Sequence, residues 1–147
     1  MQIFDVVILG AGSSGELIAS VLAKSGKSVA LIEEDRVGGE CPYVACIPSK
    51  AMLHSSRARQ NVKDAQKSGG SSISLVLDDN ETAFAFAAAR RDQIAEHRDD
   101  QGATKRLLEE GVVIVRGRGR ILRLGLVEVG EEEFAFSDLV ISTGSSS

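Results

Sequence analysis

Two kinds of residue in this chain have types and spacings that could do chemistry: a pair of cysteines and a cluster of glycines. Cys41 and Cys46, its 2 cysteines, are spaced C-x-x-x-x-C. That is too few for a disulfide scaffold, so a bridge between them would be a working one rather than a staple. In a regular helix, residues five apart have Cα atoms roughly 8.5 Å apart, and a disulfide needs less than about 7 Å. A bridge therefore requires a distorted, non-helical turn. Pro42 and Pro48 discourage regular helix across this segment, and Gly38-Gly39 give it a flexible entry. Spacing alone leaves the other reading open, two unrelated buried thiols. Cys46 also stands just before a helix expected to begin near Ser49, and a helix N-terminus favours a thiolate. A structural zinc site is not expected, because it needs four ligands and His54 and His97 stand at no recognised spacing from the cysteines.

The glycines are Gly10, Gly12 and Gly15, with Ser13 and Ser14 between the last two, and they form G-x-G-x-x-G. Gly10 permits a tight turn, Gly12 lets the backbone approach a pyrophosphate, and Gly15 allows close helix–strand packing. The phosphates would sit on the free N–H groups of the following helix. Glu33 lies 18 residues past Gly15 and ends the next strand, where an acid binds a ribose hydroxyl pair. Glu34, one position on, is the alternative. An acid there disfavours a 2′-phosphate, so this fingerprint implies FAD or NAD(H) rather than NADPH.

These residues need elements to position them. Ile3 to Leu9 is a short apolar run suited to a strand buried on both faces. Ser13 to Ser25 reads as a helix with Leu17, Ile18, Val21 and Leu22 on one face and Gly26 at its C-terminal cap. Ser28 to Glu33 is a second strand, which completes a right-handed βαβ unit. Gly38 to Lys50 is expected to be irregular, with helix from Ser49 to about Gln66. Ser68-Gly69-Gly70-Ser71-Ser72 reads as a loop inside the domain. Thr82 to His97 and Thr104 to Glu110 are expected helices, the second ending at Gly111. Val112 to Val115 follows as a strand. Arg120–Leu124, Leu126–Val129 and Glu133–Phe136 are short strands, and Leu139–Ser142 is a further buried one. The expected fold class is α/β, a Rossmann-like parallel sheet with helices and a small antiparallel meander near the C-terminus.

Composition narrows the function classes. The chain has 147 residues with 43% hydrophobic and 26% charged, one domain's worth and enough for a core. Its net charge of -4 argues against a general nucleic-acid binder, and 4% aromatics leave little for base stacking. No apolar run approaches the roughly 18 residues of a membrane span. Ile3 to Gly12 lacks a basic n-region, contains Asp5 and has no cleavage site, so it reads as a strand rather than a signal peptide. A cytoplasmic protein is expected.

The segment Gly38-Gly39-Glu40-Cys41-Pro42-Tyr43-Val44-Ala45-Cys46-Ile47-Pro48-Ser49-Lys50 closely resembles the redox-active segment of the class I pyridine nucleotide–disulfide oxidoreductases, GGxCxNxGCxPSK. That family includes dihydrolipoamide dehydrogenase, glutathione reductase and mercuric reductase. Both Gly, both Cys, the Pro, the Ser and the Lys are kept; Tyr43 replaces the usual Asn and Ala45 the usual Gly. The fingerprint at Gly10 to Gly15, the strand to Glu33, Gly117-Arg118-Gly119 with Ile121, and Ile141-Ser142-Thr143-Gly144 match the family in the same order.

The resemblance implies that residues 1–147 are the FAD-binding domain of such an enzyme, in part. FAD would lie on Gly10, Gly12, Ser13, Ser14 and Gly15, on Glu33 or Glu34, and along Gly39, Glu40, Arg118, Gly119, Thr143 and Gly144. Cys41 and Cys46 would form the redox disulfide, with Cys46 the flavin-proximal sulfur and Cys41 the interchange thiol. Lys50 would sit near flavin N5. The enzyme would pass electrons between NAD(P)H, FAD, the disulfide and a small-molecule disulfide, thiol or metal-ion substrate, as a homodimer. The nicotinamide domain with its own fingerprint, the central Gly-Asp segment and the interface domain with its His-Glu pair have no counterpart here. His54 and His97 read as ordinary helix residues. The 147 residues alone are thus expected to bind FAD weakly and not to turn over, and the end at Ser145-Ser146-Ser147 favours a portion of a longer enzyme. A free-standing dithiol module binding FAD or another adenine nucleotide is the alternative.

Overall fold

A computed structural model describes residues 1–69 and 76–145. The chain divides into two compact units, Met1–Cys41 with Asp99–Ser147, and Pro42–Arg98.

The first unit is built on a six-stranded sheet of order β3-β2-β1-β6-β5-β4. The strands are β1 (Gln2–Leu9), β2 (Val29–Glu33), β3 (Val113–Arg116), β4 (Gly119–Arg123), β5 (Leu126–Val129) and β6 (Glu132–Ile141). β1 runs parallel to both β2 and β6, and β2 runs parallel to β3. β4, β5 and the start of β6 form the expected antiparallel meander. Val6–Leu9 of β1 and Val29–Ile32 of β2 are unbroken apolar runs because both their faces are covered there. On one face Val6, Ile8, Val29 and Leu31 pack with Ala19 of α1 (Ser13–Lys24) and Leu107 of α5 (Gln101–Glu109). On the other, Val7, Leu9, Ala30 and Ile32 pack with Val127, Val129 and Phe134 of the meander. Burying each Val, Leu, Ile or Phe side chain among them stabilises the fold by roughly 1.5–3 kcal/mol.

One strand expectation is corrected. Glu133–Phe136 and Leu139–Ser142 are not separate strands; all but Ser142 fall in the single ten-residue β6, which ends at Ile141. Exposed Ser137 and Asp138 look like a break in the sequence. β6 continues through them because its parallel register with β1 runs from Gln2↔Phe134 to Leu9↔Ile141. Phe134 and Ala135 pair with β5 on one side and β1 on the other, and from Asp138 to Ile141 the pairing is with β1.

The second unit carries α3 (Cys46–Lys67) and α4 (Asn80–Ile94), which pack on each other. Just before it, a short helix α2 (Glu40–Tyr43) runs across the boundary in the sequence. The expected irregularity of residues 38–50 is therefore confined to Gly38, Gly39, Val44 and Ala45, and α3 begins three residues earlier than expected. Pro48 is compatible with that start because its missing N–H falls in the first helical turn, where N–H groups have no intrahelical partner anyway. Asp79 caps α4, accepting from the Glu81 and Thr82 N–H groups at 2.9 Å. Of the expected loop at 68–72, Ser68 and Gly69 follow α3 directly, and Gly70, Ser71 and Ser72 lie outside the described residues.

α4 is followed by a 3₁₀ turn, Glu96–Arg98, whose three residues all have positive φ (50°, 51° and 65°). This left-handed run costs free energy for residues with a Cβ. Asp92 holds its far end: Oδ1 accepts from Arg98 Nη2 at 3.0 Å, while the Arg91 guanidinium donates to both Asp92 oxygens at 2.9 and 3.0 Å. The Arg91 hydrogen bonds, reinforced by Arg98 against the opposing effect of partial burial, pull the Asp92 carboxyl down from 3.8 to about 2. A lowered folded-state pKa stabilises above the unfolded value and is lost as pH falls through the folded one. Asp92→Asn is therefore expected to lower the apparent Tm above about pH 4, and the difference from wild type should vanish as pH falls towards about 2. Thermal melts across that range check this; a difference independent of pH would contradict it.

Candidate functional site

The site grows from the carboxyl ends of β1, β2 and β6. In an open α/β sheet this is where the connections from the central strand diverge and leave a crevice. β1 ends at Leu9, and the chain turns at Gly10 with φ 94°. A Cβ on Gly10 would overlap the Ser142 carbonyl. α1 then enters so close beneath the turn that a Cβ on Gly15 would fall on the Gly10 carbonyl oxygen. Ser142, just past β6, locks the arrangement: its hydroxyl donates to the Leu9 and Gly10 carbonyls at 3.1 and 2.8 Å, and its N–H to Leu9 at 2.8 Å. Gly12 is the N-cap of α1, makes no side-chain cap, and has open space where a Cβ would stand. Ser13 and Ser14, exposed, begin the helix. The first-turn N–H groups of α1 thus face an open region without a capping side chain, the arrangement that suits a phosphate.

Glu33 closes the other side. Its Oε2 accepts from the Ala11 N–H at 2.6 Å and its Oε1 from Asp35 N–H at 2.8 Å. A carboxylate has about four acceptor positions, so two remain for a hydroxyl pair. Glu34 is exposed and lies 4.0 Å from Arg118 Nε. Gly38 N–H donates to the Ala11 carbonyl at 2.7 Å, which draws the Asp35–Gly39 loop against Gly12.

These residues line two adjoining cavities. The first, about 280 Å³, is bounded by Leu9, Gly10, Ile32, Glu33, Glu34, Gly117, Arg118, Gly119 and Thr143. The second, about 420 Å³, shares Gly10, Glu33, Glu34 and Thr143 and adds Gly12, Asp35, Arg36, Gly39, Glu40, Ser142, Gly144 and Ser145. The structure thus brings together Gly10, Gly12, Glu33, Glu34, Gly39, Glu40, Arg118, Gly119, Thr143 and Gly144, which sequence reasoning singled out. Asp35, Arg36 and Ser142 were missed as lining residues; Ser142 sits inside a strand-end motif that could have flagged it.

The redox candidates are carried differently. Cys41 follows Gly39-Glu40 and is half-buried in α2. Cys46 is exposed at the first position of α3. Ser49 Oγ donates to the Cys46 carbonyl at 3.1 Å. Lys50 stands four residues after Cys46, so the two share a face of α3, and both are exposed. His54 and His97 are exposed.

Residues 4–147 match the family described as pyridine nucleotide-disulphide oxidoreductase. The chain belongs to that family. Relatives include a dihydrolipoyl dehydrogenase of Chlamydia pneumoniae, 30% identical over 98% of this chain and 31% of its own length. A glutathione reductase of Burkholderia cepacia is 32% identical over 96% of this chain and 30% of its own length. Among solved structures, the HOCl-induced flavoprotein disulfide reductase RclA of Escherichia coli superposes with a TM-score of 0.71 at 26% identity, over 97% of this chain and 28% of that one. This member of the family therefore spans about a third of the length of these relatives. No helix among the described residues is long and apolar enough to cross a membrane.

The glycine geometry makes two substitutions differ in kind. Gly15→Ala forces a Cβ onto backbone and is expected to lower the apparent Tm by several degrees or prevent folding. Gly12→Ala points into open space at φ -68° and should melt as wild type does. Melting curves of the two variants separate a packing requirement from a ligand requirement; equal losses would contradict this reading.

Proposed function

We propose that this chain is the FAD-binding portion of a flavin-dependent disulfide oxidoreductase with Cys41 and Cys46 as its redox-active pair. The reading is carried by the uncapped N-terminus of α1 against an open Gly12, with Glu33 at the ribose position. A dinucleotide fits these residues: phosphates on the N–H groups of Ser13, Ser14 and Gly15, ribose on Glu33, adenine along Arg118 and Gly119. Gly39, Glu40, Thr143 and Gly144 would border its phosphate and flavin side. The anchored Glu33, fixed through Ala11 and Asp35, supports it over Glu34 as the ribose ligand.

FAD, when bound, supplies the two-electron chemistry that links a nicotinamide hydride to a protein disulfide. The chain's own residues do the sulfur chemistry. Cys41, as thiolate, attacks one sulfur of a substrate disulfide and releases the other as a thiolate. Cys46 then attacks the Cys41 sulfur, frees the second substrate thiol and closes the Cys41–Cys46 bridge, so two electrons leave the dithiol and the substrate gains them. Cys46 heads α3 with Lys50 on the same face, the place the family resemblance assigns to the flavin-proximal sulfur and its lysine. The substrate class is a small disulfide, a thiol in the reverse direction, or a metal ion bound by the thiols. NAD(P)H serves the full-length enzyme, which we propose acts as a homodimer in the cytoplasm, while these 147 residues alone do not turn over.

FAD titration followed by flavin fluorescence is expected to show weak binding to this chain, and Gly12→Ala should weaken it about tenfold further while leaving the melt unchanged. Unchanged affinity in that variant would remove FAD from the α1 terminus. Anaerobic addition of NADH or NADPH should leave the flavin of this chain oxidised, and bleaching would contradict the assignment of the nicotinamide site elsewhere. After mild oxidation, peptide mapping by mass spectrometry under non-reducing conditions should recover Cys41 and Cys46 joined; recovery of two unmodified thiols would sink the redox pair.

A further inference from the structure

The carboxylate of Asp100 is used in an unusual way. Asp100 is the N-cap of α5, a position where Asp ordinarily accepts from the helix's own first-turn N–H groups. It makes no such cap. The preceding Asp99 takes part of that role, accepting from Gln101 N–H at 2.9 Å. Asp100 Oδ2 instead accepts from the Val37 N–H at 2.7 Å, 63 residues back in the chain, and is paired with Arg116 Nη2 at 2.7 Å.

Arg116 ends β3 and extends the same network. Its Nη1 donates to the Asp35 carbonyl at 2.9 Å and its Nη2 to the Thr104 hydroxyl at 2.8 Å. The Asp35–Gly39 loop is therefore gripped at two backbone points, the Asp35 carbonyl and the Val37 N–H, by one ion pair. Asp100 is largely shielded, with 17% side-chain exposure against 43% for Arg116, so the bonds form where water competes least. Asp35, Arg36 and Gly39 of this loop line the larger cavity beside Gly12, while Asp100 and Arg116 line neither cavity.

We infer that Asp100 and Arg116 are positioning residues, a clasp that holds the Asp35–Gly39 loop in the shape that admits the dinucleotide at Gly12. The inference rests on the reading of that cleft as the FAD site. The clasp acts through the loop: it sets the distance between Gly39 and Gly12 and keeps the Asp35 N–H on Glu33. Nothing in the local sequence signals it, because its three parts lie in a loop, a helix cap and a strand end far apart along the chain.

The test compares wild type, Asp100→Ala, which removes both bonds, and Asp100→Asn, which keeps an acceptor for Val37 N–H but loses the charge. FAD and ADP affinities are measured alongside amide hydrogen exchange of the ligand-free chain. Asp100→Ala should weaken both ligands about tenfold and Asp100→Asn about threefold, no more than one charge-assisted bond contributes, because the bonds are lost from the loop and not from the ligand. Exchange should quicken at Val37, Gly38 and Gly39 while the amides of β1 and β2 stay as protected as in wild type, a pattern general destabilisation does not produce. Quickened loop exchange with unchanged FAD affinity would overturn the inference, as would unchanged loop exchange. If Asp100→Ala does not fold, Asp100→Asn and Thr104→Val carry the same comparison. If wild-type chain binds neither FAD nor ADP, the functional reading fails, and the exchange arm still decides the clasp: unchanged protection in the variants overturns it.

Discussion

The absence of a side chain at Gly15 is the constraint on which the rest of this molecule depends. It lets α1 enter directly beneath the Gly10 turn, so close that any Cβ would strike the Gly10 carbonyl. That proximity aims the free N–H groups of α1 at the crevice beyond β1. The turn is fixed from the far end of the chain by Ser142, whose hydroxyl and N–H bond the same Leu9–Gly10 backbone. Bringing residue 142 to residue 9 carries a loop-closure cost that grows only slowly with length. The two-faced burial of β1 and β2 offsets it. A cleft of polar backbone is thus held open by an apolar sheet.

Polar groups around the cleft divide into those aimed at it and those that hold its walls. Glu33 does both, with one oxygen on the Ala11 N–H and the other on the Asp35 N–H, and capacity left over. Asp100 and Arg116 act only on the wall. The two cysteines fall in different units of the chain: Cys41 closes a segment of the sheet unit, and Cys46 and Lys50 open the long helix of the other. Within the sheet unit, apolar side chains fill the core, while the rim of the cleft is formed by backbone together with polar side chains such as Glu33.

Much of the sheet unit was legible in the sequence because its signals are local. The runs Ile3–Leu9 and Ser28–Glu33, the glycine spacing and the closing Gly26 each state their own conformation. The start of α3 was misread because Pro48 looks like a breaker when it stands in a first turn, where it is tolerated. The split of β6 was misread because Ser137-Asp138 looks polar enough to end a strand. Only the register against β1 shows that it continues. Asp35, Arg36 and Asp100 escaped notice for a related reason: their neighbours in space are not their neighbours in sequence.

By itself, the sequence determined the local features: a G-x-G-x-x-G turn between strand and helix, an acid at the end of β2 and a C-x-x-x-x-C pair, together with the α/β class that the sheet and the family bear out. These follow from residue type and short spacing, which local sterics and helix geometry translate directly into structure. The tertiary structure alone decided that Ser142 locks the glycine turn, that Glu33 rather than Glu34 is anchored, and that one diverted helix-cap aspartate grips a loop 63 residues away. Those outcomes depend on strand order and register, and both arise only when the apolar faces of distant segments are buried together.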